Sequence, residues 1–496
     1  MNEQSYRVVV SKDNPSIERI EDRCIKCGLC AGVCSDYISV HNNYDIDKTI
    51  NPICVNCGQC VKACPTNALV VKEEYKKVKE VLKDKNKIVI ISTSPSVRVA
   101  LGEEFGMAYG SFVQDKMVGA LKQLGFNYVL DTNFGADLTI CEEATELIER
   151  IVSGGKLPQF TSCCPAWIKF AEIYYPEILP NISSCKSPIG MQGPIIKTYF
   201  AKKMGIDPKN IVNVALTPCV AKKMEIKRNE MSDACKFNQD GEYMDMDYCI
   251  TTTELATWLK EEGIDFDNIQ PSEFDSLLGQ ASGAGVIFGN TGGVMEAAVR
   301  TAYTYLTHKE PGELLLNYEP VRGMQEIRQA QVKINDLTLN LCVVYGLKNA
   351  RIVLDQIKNG VKYDFVEIMT CPGGCIGGGG QPKHIGNETL AQQKRIKSLY
   401  ERDKGMTLRT SHTNTEIIQL YDEFLGERGS KVAKQLLHTV YSDKSQLLND
   451  DDKSKKEVKK VKYRCLVCGA IFEVPVGEEP VCPQCLVGKE MLEIIE

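Results

Sequence analysis

Twenty-two cysteines stand in this chain of 496 residues, and most of them fall at ligand spacing. Cys24, Cys27, Cys30 and Cys34 form a C-x2-C-x2-C-x3-C run, which Cys54, Cys57, Cys60 and Cys64 repeat. Three thiolates of such a run wrap one iron–sulfur cube while the fourth crosses to its neighbour. Cys24, Cys27, Cys30 and Cys64 are expected to hold one 4Fe–4S cluster. Cys34, Cys54, Cys57 and Cys60 are expected to hold a second; zinc is the alternative occupant. Near the other end, Cys465-x2-Cys468 and Cys482-x2-Cys485 make two knuckles. Four thiolates so placed suit a tetrahedral ion, either zinc or a single iron.

A third set is scattered through the middle, in TSCCPAW (161–167), TPCVAKK (217–223) and MTCPGGCIGGGGQP (369–382). Cys164, Cys219, Cys371 and Cys375 could supply one more cube from three separate loops. The glycine-rich loop lets backbone amides approach a bulky inorganic group and hydrogen-bond its sulfurs. A phosphate cradle is the rival for such a loop, but it lacks the GxxxxGK[ST] pattern. Cys163, next to Cys164, points the other way if the segment is extended. It is left as a free thiol beside a redox centre, able to carry a proton. Glu143, Glu146 and Arg150 fall at i, i+3 and i+7, one face of a helix. Read alone, that face is a solvated one with an ion pair. Cys141, Cys235, Cys249 and Cys342 have no partner at ligand spacing and read as small buried apolar residues. The five histidines show no paired spacing either, and His384 reads as a surface residue.

The elements that must position these residues follow from periodicity. Residues 86–93, 210–219 and 364–371 are apolar runs that read as buried strands. EEATELIERIVS (142–153) has helical apolar spacing. Alternating strands and helices argue for an α/β architecture with parallel strands. Four segments separate by composition: 1–80 with the cysteine repeat, ~85–395, a helical 396–442 with a cap at Thr413 or Ser411, and a last module at 463–496, reached through a charged linker at 443–462. The length suits roughly three domains. A net charge of −6 argues against nucleic acid or an anionic membrane as partner. No apolar run is long enough to span a bilayer, and the first residues lack a basic stretch followed by an apolar one. The expectation is a cytoplasmic protein, in which metal ligation explains the cysteines better than disulfides do.

The front runs resemble a two-cluster ferredoxin, and the last module resembles rubredoxin-like domains. TSCCPAW, TPCVAKK and MTCPGGCIGGGGQP resemble the three active-site signatures of the iron-only (FeFe) hydrogenases. TSPSVRVALGEEFG (93–106) and SGAGVIFGNTGGVMEAAVRTAY (282–303) resemble other parts of that family's catalytic domain. The resemblance runs from the front repeat to about residue 442. It implies a two-lobed catalytic domain with parallel and mixed sheets, preceded by an α+β ferredoxin-like domain and followed by a small metal-knuckle β module. It further implies the H-cluster, a 4Fe–4S cube on Cys164, Cys219, Cys371 and Cys375 joined through Cys375 to a diiron azadithiolate unit with CO and cyanide ligands. Lys222 would hydrogen-bond one cyanide, and Ser96 with the backbone around Pro95 would contact the other. Met369 and Phe288 would line the apolar wall. The implied proton route starts at Cys163 and runs through Glu143, Ser183, Glu146 and Arg150.

Some positions depart from the family's commonest pattern: Thr217 for Met, Ala166 for Gly, Pro372 for His and Ile189 for Gln, with Cys185 as an extra thiol. They suggest a divergent subgroup. The activity implied is reversible proton reduction to H2, with electrons passing through the clusters to ferredoxin or a similar soluble carrier, and with dedicated maturation enzymes as partners. The terminal module would be a further port for electrons if it holds iron, and a structural ribbon if it holds zinc. The alternatives are an iron–sulfur assembly protein without the diiron unit, a low-turnover H2 sensor, and a plain electron-transfer protein.

Overall fold

The computed structural model describes residues 6–44, 52–448, 460–475, 480–482 and 487–495. The chain forms two compact units, one of Met1–Asn43 with Ile50–Leu447 and one of Tyr44–Thr49 with Leu448–Glu496.

The first unit begins with a small antiparallel pair, β1 (Ile17–Arg19) and β2 (Leu69–Val71), beside short helices that follow Cys27 and Cys57. It continues with two four-stranded sheets. The first is built from β3 (Ile88–Thr93), β4 (Tyr128–Asp131), β6 (Ile211–Thr217) and β7 (Tyr248–Thr251), all parallel in the order β4-β3-β6-β7. The second joins β5 (Gln159–Phe160), β8 (Ile327–Ile334), β9 (Leu337–Tyr345) and β10 (Phe365–Met369) in the order β5-β10-β9-β8. There β10 runs parallel to β5 and β9, whereas β8 and β9 form an antiparallel hairpin, so this sheet is mixed. The α/β class read from the sequence is the observed one, with one parallel sheet and one mixed.

Both faces of β3 are covered, which is why it reads as an uninterrupted apolar run. Val89 and Ile91 enter a core with Val129, Leu216, Leu255 and Trp258. Ile90 enters the opposite core with Leu130, Phe134 and Met191. A third core, under the mixed sheet, holds Val343, Phe365, Met295 and Phe288.

The 21-residue helix Thr132–Val152 carries the Glu143–Arg150 face. It starts directly after β4, where Asp131 caps it by accepting from Asn133 N at 2.7 Å. The same carboxylate is bonded to the guanidinium of Arg98, and both side chains are buried. Farther along, the cap of helix Thr415–Leu420 is Asn414, which accepts from Glu416 N. Thr413 and Ser411 lie instead in a 3₁₀ turn, a correction to the expected cap. The charged linker also begins later than expected. Lys444 Nζ and Ser442 N both reach the buried carboxylate of Glu172, at 2.6 and 3.2 Å, and this holds the start of the segment against the first unit. Strand β11 (Lys460–Cys465) already occupies the far end, and residues 449–459 lie outside those described.

In the second unit, β11 sits between β12 (Ile471–Pro475) and β13 (Leu492–Ile494), antiparallel to both. Among the described residues no helix is long and apolar enough to cross a membrane.

Removing one partner of a buried, hydrogen-bonded ion pair leaves the other charged and alone. Asp131→Ala is therefore expected to lower stability by about 3–5 kcal/mol, with Asp131→Asn losing clearly less because it keeps the cap. Thermal unfolding of both variants checks this, and equal midpoints would contradict it.

Candidate active site

The central cysteines all sit just past strand ends. Cys163 and Cys164 follow β5, Cys219 follows β6, and Cys371 follows β10. Ser94-Pro95-Ser96 follows β3 in the same way. Both sheets thus converge with their carboxyl ends on one region, the usual place for a site in such sheets.

Local contacts fix each loop. Cys164 precedes the helix Pro165–Tyr174, whose first position is proline, and its Sγ lies 3.2 Å from Thr370 Oγ1. Trp167 Nε1 donates to Thr161 O at 3.2 Å and anchors the double-cysteine turn. In the glycine-rich loop, a Cβ on Gly379 would come within 2.6 Å of Cys57 O, and one on Gly378 within 2.3 Å of Pro218 O. Only glycine allows that approach between the central loop and the front cysteine module. Gln381 latches the loop to its surroundings by donating to Ser96 O at 2.9 Å and accepting from Thr252 Oγ1 at 2.7 Å.

A cavity of about 60 Å³ lies at this convergence, lined by Pro95, Ser96, Cys163, Cys219, Lys222, Phe288 and Cys375 among others. Thr132, Ala136, Pro188 and Gly289 also line it and carry no sequence signal of their own, while Ile189 and Thr217 place two of the unusual substitutions on its wall. Met369 packs in the adjoining core with Phe288 and Cys163, and lies under the Gly374 turn. Ser96 Oγ and Thr132 Oγ1 are buried without a hydrogen-bond partner among the described residues. Gly289 leaves room for that hydroxyl, since a Cβ there would stand 2.3 Å from Ser96 Oγ. Lys222 Nζ donates to Cys163 O at 3.2 Å and to Glu225 Oε2 at 2.7 Å. Burial opposes the lysine's charge, but Glu225 and the nearby thiols outweigh it and raise its pKa.

Burial pushes the Cys219 thiol up to about 11 and holds Cys371 and Cys375 far above the ordinary thiol range, with Cys164 raising each of the three further. Thiols so buried and so mutually repelling become thiolates by bonding to a cation. Cys371 also feels Cys57, so the two cysteine sets are electrostatic neighbours.

The carboxylate face lies on the other side of Cys163. Burial drives the Glu143 carboxyl up to about 8, the Glu146 charge raises it further, and Ser183 with the Ser162 N–H pulls the other way. Neither oxygen of Glu143 makes a hydrogen bond of ordinary geometry among the described residues. Ser183 Oγ donates to Glu146 Oε2 at 2.9 Å. Arg150 Nη2 reaches Glu146 Oε1 at 2.6 Å and Ile182 O at 3.0 Å. The solvated face read from this segment alone is instead mostly buried.

Elsewhere, His384 Nε2 lies 2.6 Å from Glu103 Oε2, away from the cavity. Cys141, Cys235, Cys249 and Cys342 are buried. In the second unit, the thiols of Cys465, Cys468 and Cys482 lie within 4.8 Å of one another, a soft donor set for zinc or iron. Cys485, the expected fourth ligand, lies outside the described residues.

The family profile described as "Iron only hydrogenase large subunit, C-terminal domain" matches residues 87–379. "Iron hydrogenase small subunit" matches residues 389–444, and "4Fe-4S binding domain" matches residues 52–70. The chain is 44% identical over 453 residues to the NADP-reducing hydrogenase subunit HndD of Solidesulfovibrio fructosivorans, covering 87% of this chain and 75% of that one. It is 40% identical to iron hydrogenase 1 of Clostridium pasteurianum, covering 87% and 77%. The cytosolic Fe-S cluster assembly factor narfl of Xenopus tropicalis is 32% identical, covering 78% and 82%. Among solved structures, apo FeFe-hydrogenase HydA1 of Chlamydomonas reinhardtii superposes with a TM-score of 0.64 at 38% identity, covering 74% of this chain and 98% of that one.

A buried carboxyl whose pKa is raised by folding stabilises the protein below its unfolded pKa. That contribution is lost as the pH rises through the folded value. Glu143→Gln is expected to match the parent near pH 5 and to gain on it by a few kcal/mol (roughly) by pH 9. Melting curves across that range test this, and a constant gap between the two proteins would contradict it.

Proposed function

The chain belongs to the iron-only hydrogenase family, and from that premise we propose that it interconverts protons and H2 at an H-cluster. The observation that carries this reading is the shared cavity. A free thiol, a buried ammonium and an unpaired hydroxyl all meet there beside Cys219 and Cys375.

The residues present fit the group. Cys164, Cys219, Cys371 and Cys375 would hold its cube, and Lys222 and Ser96 offer donors to anionic ligands from two sides of the cavity. When bound, the H-cluster would supply a Lewis-acidic metal centre to accept the electron pair and a basic amine to accept the proton in heterolytic cleavage of H2. The protein's own part is to exclude water, balance charge and move protons. Phe288, Ile189 and Pro188 give the cavity an apolar wall. Lys222 stays charged through its pairing with Glu225, which avoids the cost of a lone buried ammonium.

Cys163, facing the cavity, passes protons to and from Glu143. A carboxyl near 8 is matched to proton transfer around neutral pH. Glu146, bridged to Ser183, takes the proton onward, and Arg150 holds Glu146 in place. Electrons leave through the front cysteine module, whose Cys57 backbone touches the glycine loop, and pass to a soluble carrier. The name of the NADP-reducing relative makes a nicotinamide-linked chain a possible destination as well as a ferredoxin. Similarity to the assembly factor supports a second reading, in which the four cysteines hold a bare cube.

Cys163→Ala is expected to lower H2 production by matured protein, driven by a reduced dye, by at least about 100-fold. Cys163→Asp, which restores a titratable group, should recover part of the rate. Unchanged turnover in the alanine variant would refute the proton role.

A further inference from the structure

Glu146 does not end the hydrogen-bonded chain. Its Oε2 accepts from Ser184 Oγ at 3.2 Å and from Ser184 N at 3.0 Å. Ser184 Oγ lies 2.7 Å from His438 Nδ1. On the far side of the ring, His438 Nε2 lies 3.0 Å from Glu142 Oε2. Glu142 is held in turn by Tyr421 Oη and by Gly429 N at 3.0 Å. A bridge between Cys185 and His438 fixes the backbone of this segment beside the serine pair. The other neighbour of Glu146 is Arg150, which makes hydrogen bonds to four backbone carbonyls besides its carboxylate. A guanidinium does not give up its proton in a protein, so it can orient Glu146 but cannot accept from it. An imidazole can, in the range where the enzyme would work.

We propose that the proton route branches at Glu146 through Ser184 to His438, with Glu142 as the counter-charge of the protonated ring. This rests on the relay proposed above. In the neutral state, Nε2–H donates to Glu142 and Nδ1 accepts the Ser184 hydroxyl hydrogen. Protonated Glu146 gives its proton to Ser184 Oγ while Ser184 gives its own to Nδ1. One O–H bond at Glu146 breaks, one N–H bond at His438 forms, and the serine is left unchanged with its hydroxyl turned towards Glu146. The ring then carries the charge opposite a carboxylate that is buried and already hydrogen-bonded. Side-chain exposure is 12% for His438 and 1% for Glu142, so the imidazole is the member of the pair that meets solvent. The charged and titratable groups around the ring are Glu142 and Glu146 from the long helix, Arg150 behind Glu146, Cys185, Tyr421 and Tyr441. Burial raises the pKa values of Cys185, Tyr421 and Tyr441 well out of the working range and leaves them neutral.

The first test does not depend on turnover. Exchange of the His438 C2 proton, followed by mass spectrometry across pH, reads the titration midpoint of the ring in the full chain with or without the diiron unit. Glu146→Gln and Glu142→Gln each remove an anion hydrogen-bonded to the ring directly or through Ser184, and each is expected to lower that midpoint. A midpoint that Glu146→Gln leaves in place would overturn the branch. The second test uses matured protein. His438→Gln is expected to lower turnover about tenfold and to flatten its pH dependence between pH 6 and 8, and added imidazole should restore part of the rate in His438→Ala. Parent-like rates and pH profiles in both variants would overturn the proposal. A matured parent with no turnover would instead remove the hydrogenase reading, while the exchange titration still judges the connection.

Discussion

The constraint on which the site depends is the placement of negative charge where water is excluded. Cys163, Cys219 and Cys375 line a small, largely apolar cavity, with Glu225 paired to Lys222 on its wall and Glu143 acting on Cys163 from behind it. Lys222 is the cation that meets them there, pinned between Glu225 and the carbonyl of Cys163. A buried ammonium held by one carboxylate keeps directed donor capacity for a second anion, which a solvated lysine would spend on water. Glu143, without a cation beside it, responds by moving its pKa up to about 8. One environment therefore produces a fixed charge at one residue and a movable proton at another.

The scaffold delivers these groups by pointing strand ends from two sheets at one place. Loops after β3, β5, β6 and β10 meet there, and the helix that starts at Asp131 brings the carboxylates along its side. The pair of Asp131 and Arg98 fixes where that helix begins, and so where Glu143 and Glu146 stand relative to Cys163. Gly379 allows the central loop to pack directly on the front cysteine module, and Gly378 allows it to pack on the Cys219 loop.

Much of this was legible in the sequence because cysteine spacing is a local signal and buried strands leave apolar runs. The strands at 86–93, 210–219 and 364–371 were readable for that reason, and so was the helical face of Glu143, Glu146 and Arg150. Its burial was not, because what covers it is the segment around Ser183 and Ser184, more than thirty residues away. His438 looked isolated because its partners, Glu142 and Ser184, are distant in sequence and only the fold brings them together. The cap at Asn414 was missed because Ser411, Thr413 and Asn414 all suit that role by composition, and a 3₁₀ turn decides among them.

We propose that the cavity beside Cys375 receives a diiron unit with CO and cyanide ligands, and infrared spectroscopy of anaerobically matured protein reads that occupancy without relying on turnover. Sharp CO and cyanide stretching bands that shift under H2 are expected, with the cyanide bands displaced in Lys222→Arg. Properly matured protein that carries its full iron–sulfur content but shows no such bands would contradict it, and the four central cysteines would then hold a cube alone.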